Sequence, residues 1–238
     1  MQLLVSAASA ADARAAVEGG ADVVDAKNPA AGALGPVSLE TLRGIVEAVN
    51  GARLVTAALG DARTAAAIRE DARRFTSLGA RLVKVGFAGI HQPADVVALA
   101  TAAVRGARDG DEHAGVVLVA YADAQHPAFS ATDLLGVASE VGAAGVLLDT
   151  ADKSGPRLTD LVTPSWLADW VDRAHQAGLL AAVAGRLRSG DLPVARHAGA
   201  DIAGVRGAAC DGGRSGQVSA RSVRDLCAWC RPPVEDVA

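Results

Sequence analysis

The chain has 238 residues, half of them hydrophobic but only 3% aromatic, and it carries a formal net charge of −4. This length suits one domain, and the apolar content is enough for a large core. A weakly acidic chain without a basic stripe excludes nucleic acid as the main partner, and its alanine-rich stretches are interrupted too soon to span a bilayer. The first residues, MQLLVSAAS, lack a basic leader followed by a long apolar run, so we expect no signal peptide and a cytoplasmic protein.

Strand-like and helix-like segments alternate along the chain. Short apolar or β-branched runs, typical of buried strands, occupy residues 2–6, 22–27, 53–58, 81–85, 115–121, 145–149, 179–184 and 201–206. Amphipathic stretches, typical of helices, occupy residues 9–18, 38–49, 62–77, 93–107, 132–141, 164–177, 189–197 and 219–229. This order predicts an α/β protein with a single (β/α)8 TIM barrel over residues 1–230 and a frayed tail over 231–238. The competing open, doubly wound sheet is disfavoured because no glycine-rich fingerprint follows the first strand.

A weak internal repeat aligns the even-numbered strands. A Gly-Ala pair precedes each of them, at Gly20-Ala21, Gly79-Ala80, Gly142-Ala143 and Gly199-Ala200, and each glycine fits a helix end that needs positive φ. Four residues past the alanine stand Asp25, Lys84, Leu147 and Gly204, and six residues past it stand Lys27, Gly86, Asp149 and Arg206. Such positions share one face of a strand, and barrel enzymes carry their catalytic groups at the C-terminal strand ends. We therefore expect the charged members to converge on one cavity, with Lys153 in the next loop.

The lysine count points to an amine function. The chain has 20 arginines but three lysines, Lys27, Lys84 and Lys153, and each lysine lies at or just after the end of an even-numbered strand. Arginine can replace lysine for solubility, but it stays protonated and cannot act as an amine nucleophile. A crowded pocket can lower a lysine pKa far enough for imine formation with an aldehyde or ketone. The alternative is chance together with buried structural ion pairs, such as Asp149 with Lys84.

A phosphate site is expected in the loops after strands seven and eight, where barrels commonly bind phosphate. These loops read AVAGRLRSG and GVRGAACDGGRSG, and glycine lets backbone N–H groups approach an anion. The candidate phosphate or substrate ligands are Gly185, Arg206, Gly207, Gly212 and Gly213. Simple turn glycines are the alternative explanation.

Other candidates are weaker. Asp61 and Asp123 end odd-numbered strands, where they either line the pocket or hold a loop. Cys227 and Cys230 form a CxxC in a helical context without a second ligand pair, which disfavours zinc or redox roles. No cluster of histidines and carboxylates at metal-ligand spacing occurs in the sequence, so we expect neither a metal nor a cofactor.

The sequence resembles the (5-formylfuran-3-yl)methyl phosphate synthases of methanofuran biosynthesis, also called 4-(hydroxymethyl)-2-furancarboxaldehyde phosphate synthases. The matching blocks extend from residue 3 to about residue 216 and include GGADVVDAKNPAAGALG, GARLVKVGFAG, GVLLDTADKSG and ADIAGVRGAACDGG. The stretch GDARTAAAIREDARRF is shorter and richer in arginine than the resemblance would suggest, and the CxxC tail lies outside it.

The resemblance implies a TIM barrel that condenses two glyceraldehyde 3-phosphate molecules into a furan aldehyde and releases phosphate and water. By resemblance, Lys27 is the Schiff-base lysine, Lys84 accepts the proton, and Asp25, Asp149 and Lys153 complete the site. The expected partner is a small-molecule triose phosphate, bound by a homo-oligomer. Two other functions stay open: a class I aldolase for another phosphorylated aldehyde, and a non-catalytic barrel that binds sugar phosphates.

Overall fold

Eight parallel strands close into a barrel in the computed structural model, which describes residues 1–124 and 129–231. Each strand pairs with the next in sequence, and β8 pairs with β1, so the predicted TIM barrel is confirmed. The barrel strands are β1 (Gln2–Ala7), β2 (Val23–Ala26), β3 (Leu54–Asp61), β4 (Leu82–Gly86), β5 (Gly115–Tyr121), β6 (Gly145–Asp149), β7 (Leu180–Val183) and β8 (Ile202–Val205).

Helices follow the strands and cover the outside of the barrel. They are α1 (Ala10–Gly19), α2 (Leu39–Val49), α3 (Ala65–Ser77), α4 (Pro93–Gly110), α5 (Asp133–Val141), α6 (Leu158–Leu161), α7 (Pro164–Gln176), α8 (Leu192–His197) and α9 (Ala220–Cys230). The start of α3 lies three residues later than predicted, because the Thr64 side chain accepts from the Ala67 backbone N–H and caps the helix there. None of the described helices is both long and apolar enough to span a membrane.

The sequence pattern did not reveal two short additions, both in loops at the barrel mouth. Helix α6 precedes α7 in the loop after β6. A small antiparallel hairpin, β9 (Cys210–Asp211) with β10 (Gln217–Val218), lies in the glycine-rich loop after β8. Most of the predicted C-terminal tail, residues 232–238, lies outside the described residues.

The Gly-Ala repeat has the predicted backbone role. Gly20, Gly79, Gly142 and Gly199 all have positive φ, between 69° and 103°. In each case the chain leaves a helix and turns into an even-numbered strand, which glycine permits without steric cost. The repeat therefore sets the register in which the even-numbered strands enter the barrel.

The hydrophobic residues form two layers. The larger one lies between the outer faces of the strands and the helices and includes Leu3, Ile45 and Trp170. The smaller one fills the lower part of the barrel interior with residues such as Leu4, Val117 and Leu147. Toward the C-terminal strand ends this interior layer is joined by polar side chains such as Asp25, Lys84 and Asp149, and there the cavity opens.

Candidate active site at the C-terminal end of the barrel

One cavity of about 430 Å³ opens at the C-terminal end of the strands. The five predicted catalytic residues, Asp25, Lys27, Lys84, Asp149 and Lys153, all line it. Strand β2 supplies Asp25 and is followed directly by Lys27, while β4 supplies Lys84 and β6 ends at Asp149. The closed barrel thus brings together groups that are far apart in sequence.

Asp25 is completely buried and is the centre of a polar network on the lower wall of the cavity. It forms an ion pair with Lys84, and it accepts hydrogen bonds from Thr56 Oγ1 at 2.8 Å and from Ser6 Oγ at 3.2 Å. Burial acts to raise the pKa of Asp25, but Lys84 and Lys27 outweigh it and hold that pKa below its usual range. Asp25 is therefore a fixed negative charge that orients Lys84.

Asp149 and Lys153 form a second ion pair, with 2.6 Å between Lys153 Nζ and Asp149 Oδ1. The same carboxylate oxygen accepts the Thr150 backbone N–H at 2.8 Å. Burial would raise the pKa of Asp149, yet Lys153 and Lys27 keep it low. The other oxygen, Oδ2, is buried and has no hydrogen-bond partner in the described part of the chain. A buried carboxylate oxygen without a partner is costly, which indicates a position meant for a ligand or a proton.

Lys27 differs from the other two lysines because no carboxylate within residues 1–124 and 129–231 lies within 4 Å of its amine. Lys27 as a whole residue is only 7% exposed. The pKa of Lys27 is lowered to about 8, and burial is the largest cause. The positive charges of Lys84 and Lys153 also lower this pKa, whereas the negative charges of Asp149 and Asp25 raise it. At pH 7 roughly one amine in ten would then be neutral, compared with about three in ten thousand for an ordinary lysine. The cavity therefore contains one buried amine that is prepared for nucleophilic attack.

The ion pairs of the lysines differ from the one that the sequence suggested as a purely structural explanation. That alternative joined Asp149 to Lys84, but Lys84 pairs with Asp25, and Asp149 pairs with Lys153. Two of the three lysines thus have a carboxylate partner, and Lys27 remains outside both pairs.

The loops after β7 and β8 form the rim of the cavity, as expected for a phosphate site. Gly185, Gly207 and Gly213 line the cavity, whereas Gly212 is not among its described lining residues. Gly185 has φ 109°, and a Cβ there would lie 2.9 Å from Thr150 Cγ2. Glycine at this position is therefore required by the close approach of the loops after β6 and β7, whatever ligand binds.

Arg206 lines the cavity, but its guanidinium is used within the protein. Nη1 donates to Asp12 Oδ2 at 2.7 Å and to the Ser6 carbonyl at 2.8 Å; Nη2 donates to the Gly216 carbonyl at 2.7 Å; Nε donates to the Arg214 carbonyl at 3.2 Å. Four of the five N–H groups of an arginine are thus occupied. Arg206 thus holds the loop 207–216 in place over the cavity, and with one N–H group left, its contact with phosphate stays a prediction.

Arg214 is a second cation that this loop contributes to the cavity wall. Its Nη2 donates to the backbone carbonyls of Pro29 at 3.3 Å and Gly32 at 3.0 Å, which connects the loop after β8 to the loop that follows Lys27. Burial is the largest influence on Arg214 and lowers its pKa. Together with Arg186 and Arg188 on the loop after β7, it makes the rim of the cavity basic.

Sequence reasoning missed three residues of the site. Thr56 and Ser6 orient Asp25 but lack a recognisable motif. Asp12 accepts from Arg206 and from the backbone N–H groups of Ala8 and Val218. Asp12 lies three residues after Ser9, whose side chain caps α1, and this spacing is typical of helix capping.

Two weaker candidates hold loops and are not among the described residues that line the cavity. Asp61 accepts from Tyr121 Oη at 3.1 Å and from the Ala88 backbone N–H, while Asp123 accepts from the backbone N–H groups of Ala151 and Asp152. The two cysteines of the CxxC, Cys227 and Cys230, are buried free thiols, and burial raises the pKa of each. A raised thiol pKa disfavours reactivity, which agrees with a packing role.

Comparison with known proteins adds independent information. A family model described as 4-HFC-P synthase matches residues 3–227. The (5-formylfuran-3-yl)methyl phosphate synthase of Methanocaldococcus jannaschii is 36% identical over 97% of this chain and 100% of its own length. The enzyme of the same name from Methanopyrus kandleri is also 36% identical, over 94% of this chain and 97% of its own.

Solved structures support the fold alone. A 3-hexulose-6-phosphate synthase superposes with a TM-score of 0.67 at 22% identity, covering 97% of this chain and 100% of the other. A KGPDC from Streptococcus mutans gives a TM-score of 0.66 at 15% identity, covering 96% of each chain. At this level of sequence identity the structural likeness supports the barrel fold and carries no information about the reaction.

Proposed function

The chain belongs to the 4-HFC-P synthase family, and on this premise we propose that it condenses two glyceraldehyde 3-phosphate molecules into (5-formylfuran-3-yl)methyl phosphate. The observation that carries this proposal is the buried amine of Lys27, whose pKa is lowered to about 8 between two carboxylate–lysine pairs. Such an amine can form an imine with an aldehyde near neutral pH. A barrel that only bound sugar phosphates would have no use for a free amine.

Lys27 is proposed to attack the aldehyde of the first triose phosphate. The new C–N bond forms while the carbonyl oxygen leaves as water, and the resulting iminium withdraws electrons from the neighbouring carbon. The unpartnered Oδ2 of Asp149 is suited to take or return protons during these steps, since it is buried beside the amines.

Lys84, in its neutral form, is proposed to remove the proton from the carbon next to the imine, with Asp25 holding its amine in place. The electron pair moves into an enamine, and phosphate then leaves from the adjacent carbon. A proton shift converts the second triose phosphate to its ketone isomer, and the terminal nucleophilic carbon adds to that central carbonyl carbon. The free terminal hydroxyl of the second triose then closes the ring, and loss of two water molecules yields the furan. Hydrolysis of the imine returns Lys27 as an amine.

The overall reaction balances without an oxidant, reductant or cofactor. Two three-carbon phosphates yield one six-carbon furan phosphate, one inorganic phosphate and two molecules of water. The aromatic ring makes the dehydration steps favourable. A redox cofactor such as nicotinamide is therefore not needed for the proposed chemistry.

The phosphate groups are proposed to bind at the basic rim. Backbone N–H groups around Gly185, Gly207 and Gly213 can approach an anion closely, and Lys153 lines the same cavity. Gly212 stays a candidate through the shape that it gives the loop, since its φ is 82°. Arg206 contributes indirectly, because it holds this loop.

Borohydride reduction in the presence of glyceraldehyde 3-phosphate, followed by peptide mass mapping, tests the proposal. We expect one adduct on Lys27, none on Lys84 or Lys153, and a product that absorbs in the ultraviolet as a furan aldehyde. Lys27→Arg should abolish both the adduct and the product while the fold stays intact. An adduct on another lysine would overturn the roles, and an aldol product without ultraviolet absorbance would indicate a class I aldolase instead.

A further inference from the structure

The cavity has two chemically different walls. Strands β2 and β4 present Asp25 and Lys84, with Thr56 between them on β3. The opposite wall, from β6 to β8, presents Leu147, Ala182 and Gly204 at the corresponding depth. At this depth the ionisable groups lie on one side, while the other side offers apolar side chains. Asp149 and Arg206 stand on that second side as well, but one step closer to the mouth of the barrel.

Gly204 is the least expected residue of this wall, because it stands inside a barrel strand where β-branched residues are favoured. Its backbone does not require glycine, since its φ is not among the positive values. A Cβ at this position would meet Ala184 Cβ at 3.3 Å, Leu4 Cδ2 at 3.5 Å and the Val183 carbonyl oxygen at 3.7 Å. An alanine could thus be accommodated by small shifts. Glycine inside a strand weakens it and often marks close approach of a ligand.

The neighbours of Gly204 are small as well. Ala182 and Ala184 on the β7 side line the same part of the cavity, and Leu180 and Ile202 close it from below. This leaves an apolar slot on the side opposite Asp25, below Asp149 and Arg206, which stand nearer the loops after β7 and β8. A molecule held at the rim by its phosphate would extend its carbon atoms along this slot.

We propose that this slot, defined by Leu147, Ala182, Ala184 and Gly204, holds the ring-forming carbons of the condensation product, and that Gly204 determines selectivity for a six-carbon product. The inference rests on the proposed function and deepens it. The first triose needs only the amine and a phosphate site, so it does not require the slot. The second triose and the flat ring that forms from it do require this additional space.

The apolar character of the slot suits the second half of the reaction. Condensation and dehydration turn hydroxylated, tetrahedral carbons into a planar ring that is favourably transferred from water to an apolar surface. A flat ring also packs closely against alanine and glycine, because nothing projects from the wall. The slot thus favours dehydrated intermediates over their hydrated precursors.

The test compares Gly204→Ala and Gly204→Val with Gly136→Ala as the matched control. Gly136 lies on α5, and a Cβ there meets nothing within 4 Å, so the control adds the same methyl group away from the cavity. Each variant is assayed for the borohydride-trapped single-triose adduct on Lys27, for furan formation, and for inhibition by the furan product. Thermal unfolding checks the fold of each variant.

We expect Gly204→Val to lower furan formation by roughly 100-fold, since a misplacement of about 1 Å can have this effect. The trapped adduct should persist in this variant, inhibition by the product should weaken, and Gly204→Ala should be intermediate. If Gly204→Val formed the furan at the wild-type rate, the proposed role of the slot would be refuted. Loss of the adduct in parallel with the furan would also overturn it, because Gly204 would then serve the first triose. A wild-type protein that forms neither adduct nor furan would instead refute the proposed function.

Discussion

The amine of Lys27 should make the folded protein less stable at neutral pH, and replacing it by methionine should therefore stabilise the fold. The pKa of Lys27 is about 8 in the folded state against 10.5 for an ordinary lysine. This difference corresponds to about 3 kcal/mol of unfavourable protonation in the folded protein at pH 7. Lys27→Met should raise the free energy of unfolding by up to about 3 kcal/mol, or roughly 6–12 °C in Tm for a chain of this size.

The pH dependence of this effect has a defined sign. Because the folded pKa is the lower one, the unfolded chain binds more protons than the folded chain between about pH 8 and pH 10.5. The stability of the wild-type protein should therefore gain from Lys27 as pH rises through this window, and the advantage of Lys27→Met should shrink over the same range. Urea unfolding at pH 7, 8, 9 and 10 measures both proteins under identical conditions.

Lys153→Met is the matched comparison, because the same substitution should have the opposite sign. Lys153 pairs with buried Asp149 at 2.6 Å, and its removal leaves that carboxylate poorly compensated. We expect Lys153→Met to destabilise the fold by about 3 kcal/mol, the lower end of the range for breaking a buried ion pair, since Lys27 and the Thr150 backbone N–H remain near Asp149. If Lys27→Met proved destabilising at pH 7, or if its effect did not change between pH 8 and pH 10, the assignment of a neutralised, buried amine would be refuted.

Three further predictions concern reactivity and the loops. The initial rate of adduct formation on Lys27 should rise about tenfold per pH unit at low pH and level off near pH 8. Borohydride added at short, fixed times after mixing measures this rate, and a rate still rising at pH 10 would contradict the lowered pKa. Arg206→Met should lower the free energy of unfolding by about 3–5 kcal/mol and raise KM, and a double-mutant cycle with Asp12→Asn should show that the two losses are not additive. Gly185→Ala should raise KM and destabilise the fold by at least about 1 kcal/mol, because φ is 109° and Thr150 stands 2.9 Å from the new Cβ; unchanged kinetics and urea midpoint would contradict this packing.

The ends of the strands were predictable because the sequence marks them twice. Short apolar or β-branched runs locate the strands, and the Gly-Ala pairs locate the starts of the even-numbered ones, so the amino-acid pattern alone assigns positions such as Lys27 and Lys84 to the barrel mouth. The distribution of lysine added a chemical signal, since each of the three stands where a barrel carries its reactive groups.

The pairing of the charged groups was not predictable in the same way. Asp25 meets Lys84 across β3, with Thr56 on the strand between them, and Asp149 meets Lys153 in its own loop. Which carboxylate reaches which amine depends on the tilt and stagger of the closed sheet. For this reason the pairing of Asp149 with Lys84, considered from the sequence, was wrong.

The amino-acid sequence alone determined the barrel, the inward-facing positions of its even-numbered strands and the group of residues at its mouth, because hydrophobic periodicity and turn glycines are local properties. The tertiary structure alone decided that the Lys27 amine stands outside both carboxylate–lysine pairs, that Arg206 serves its own loop through Asp12, 194 residues away, and that Gly204 opens an apolar wall. These features depend on distances between side chains from different strands. Closure of the barrel sets those distances, so burial and charge pairing, which set each pKa, emerge only with the complete fold.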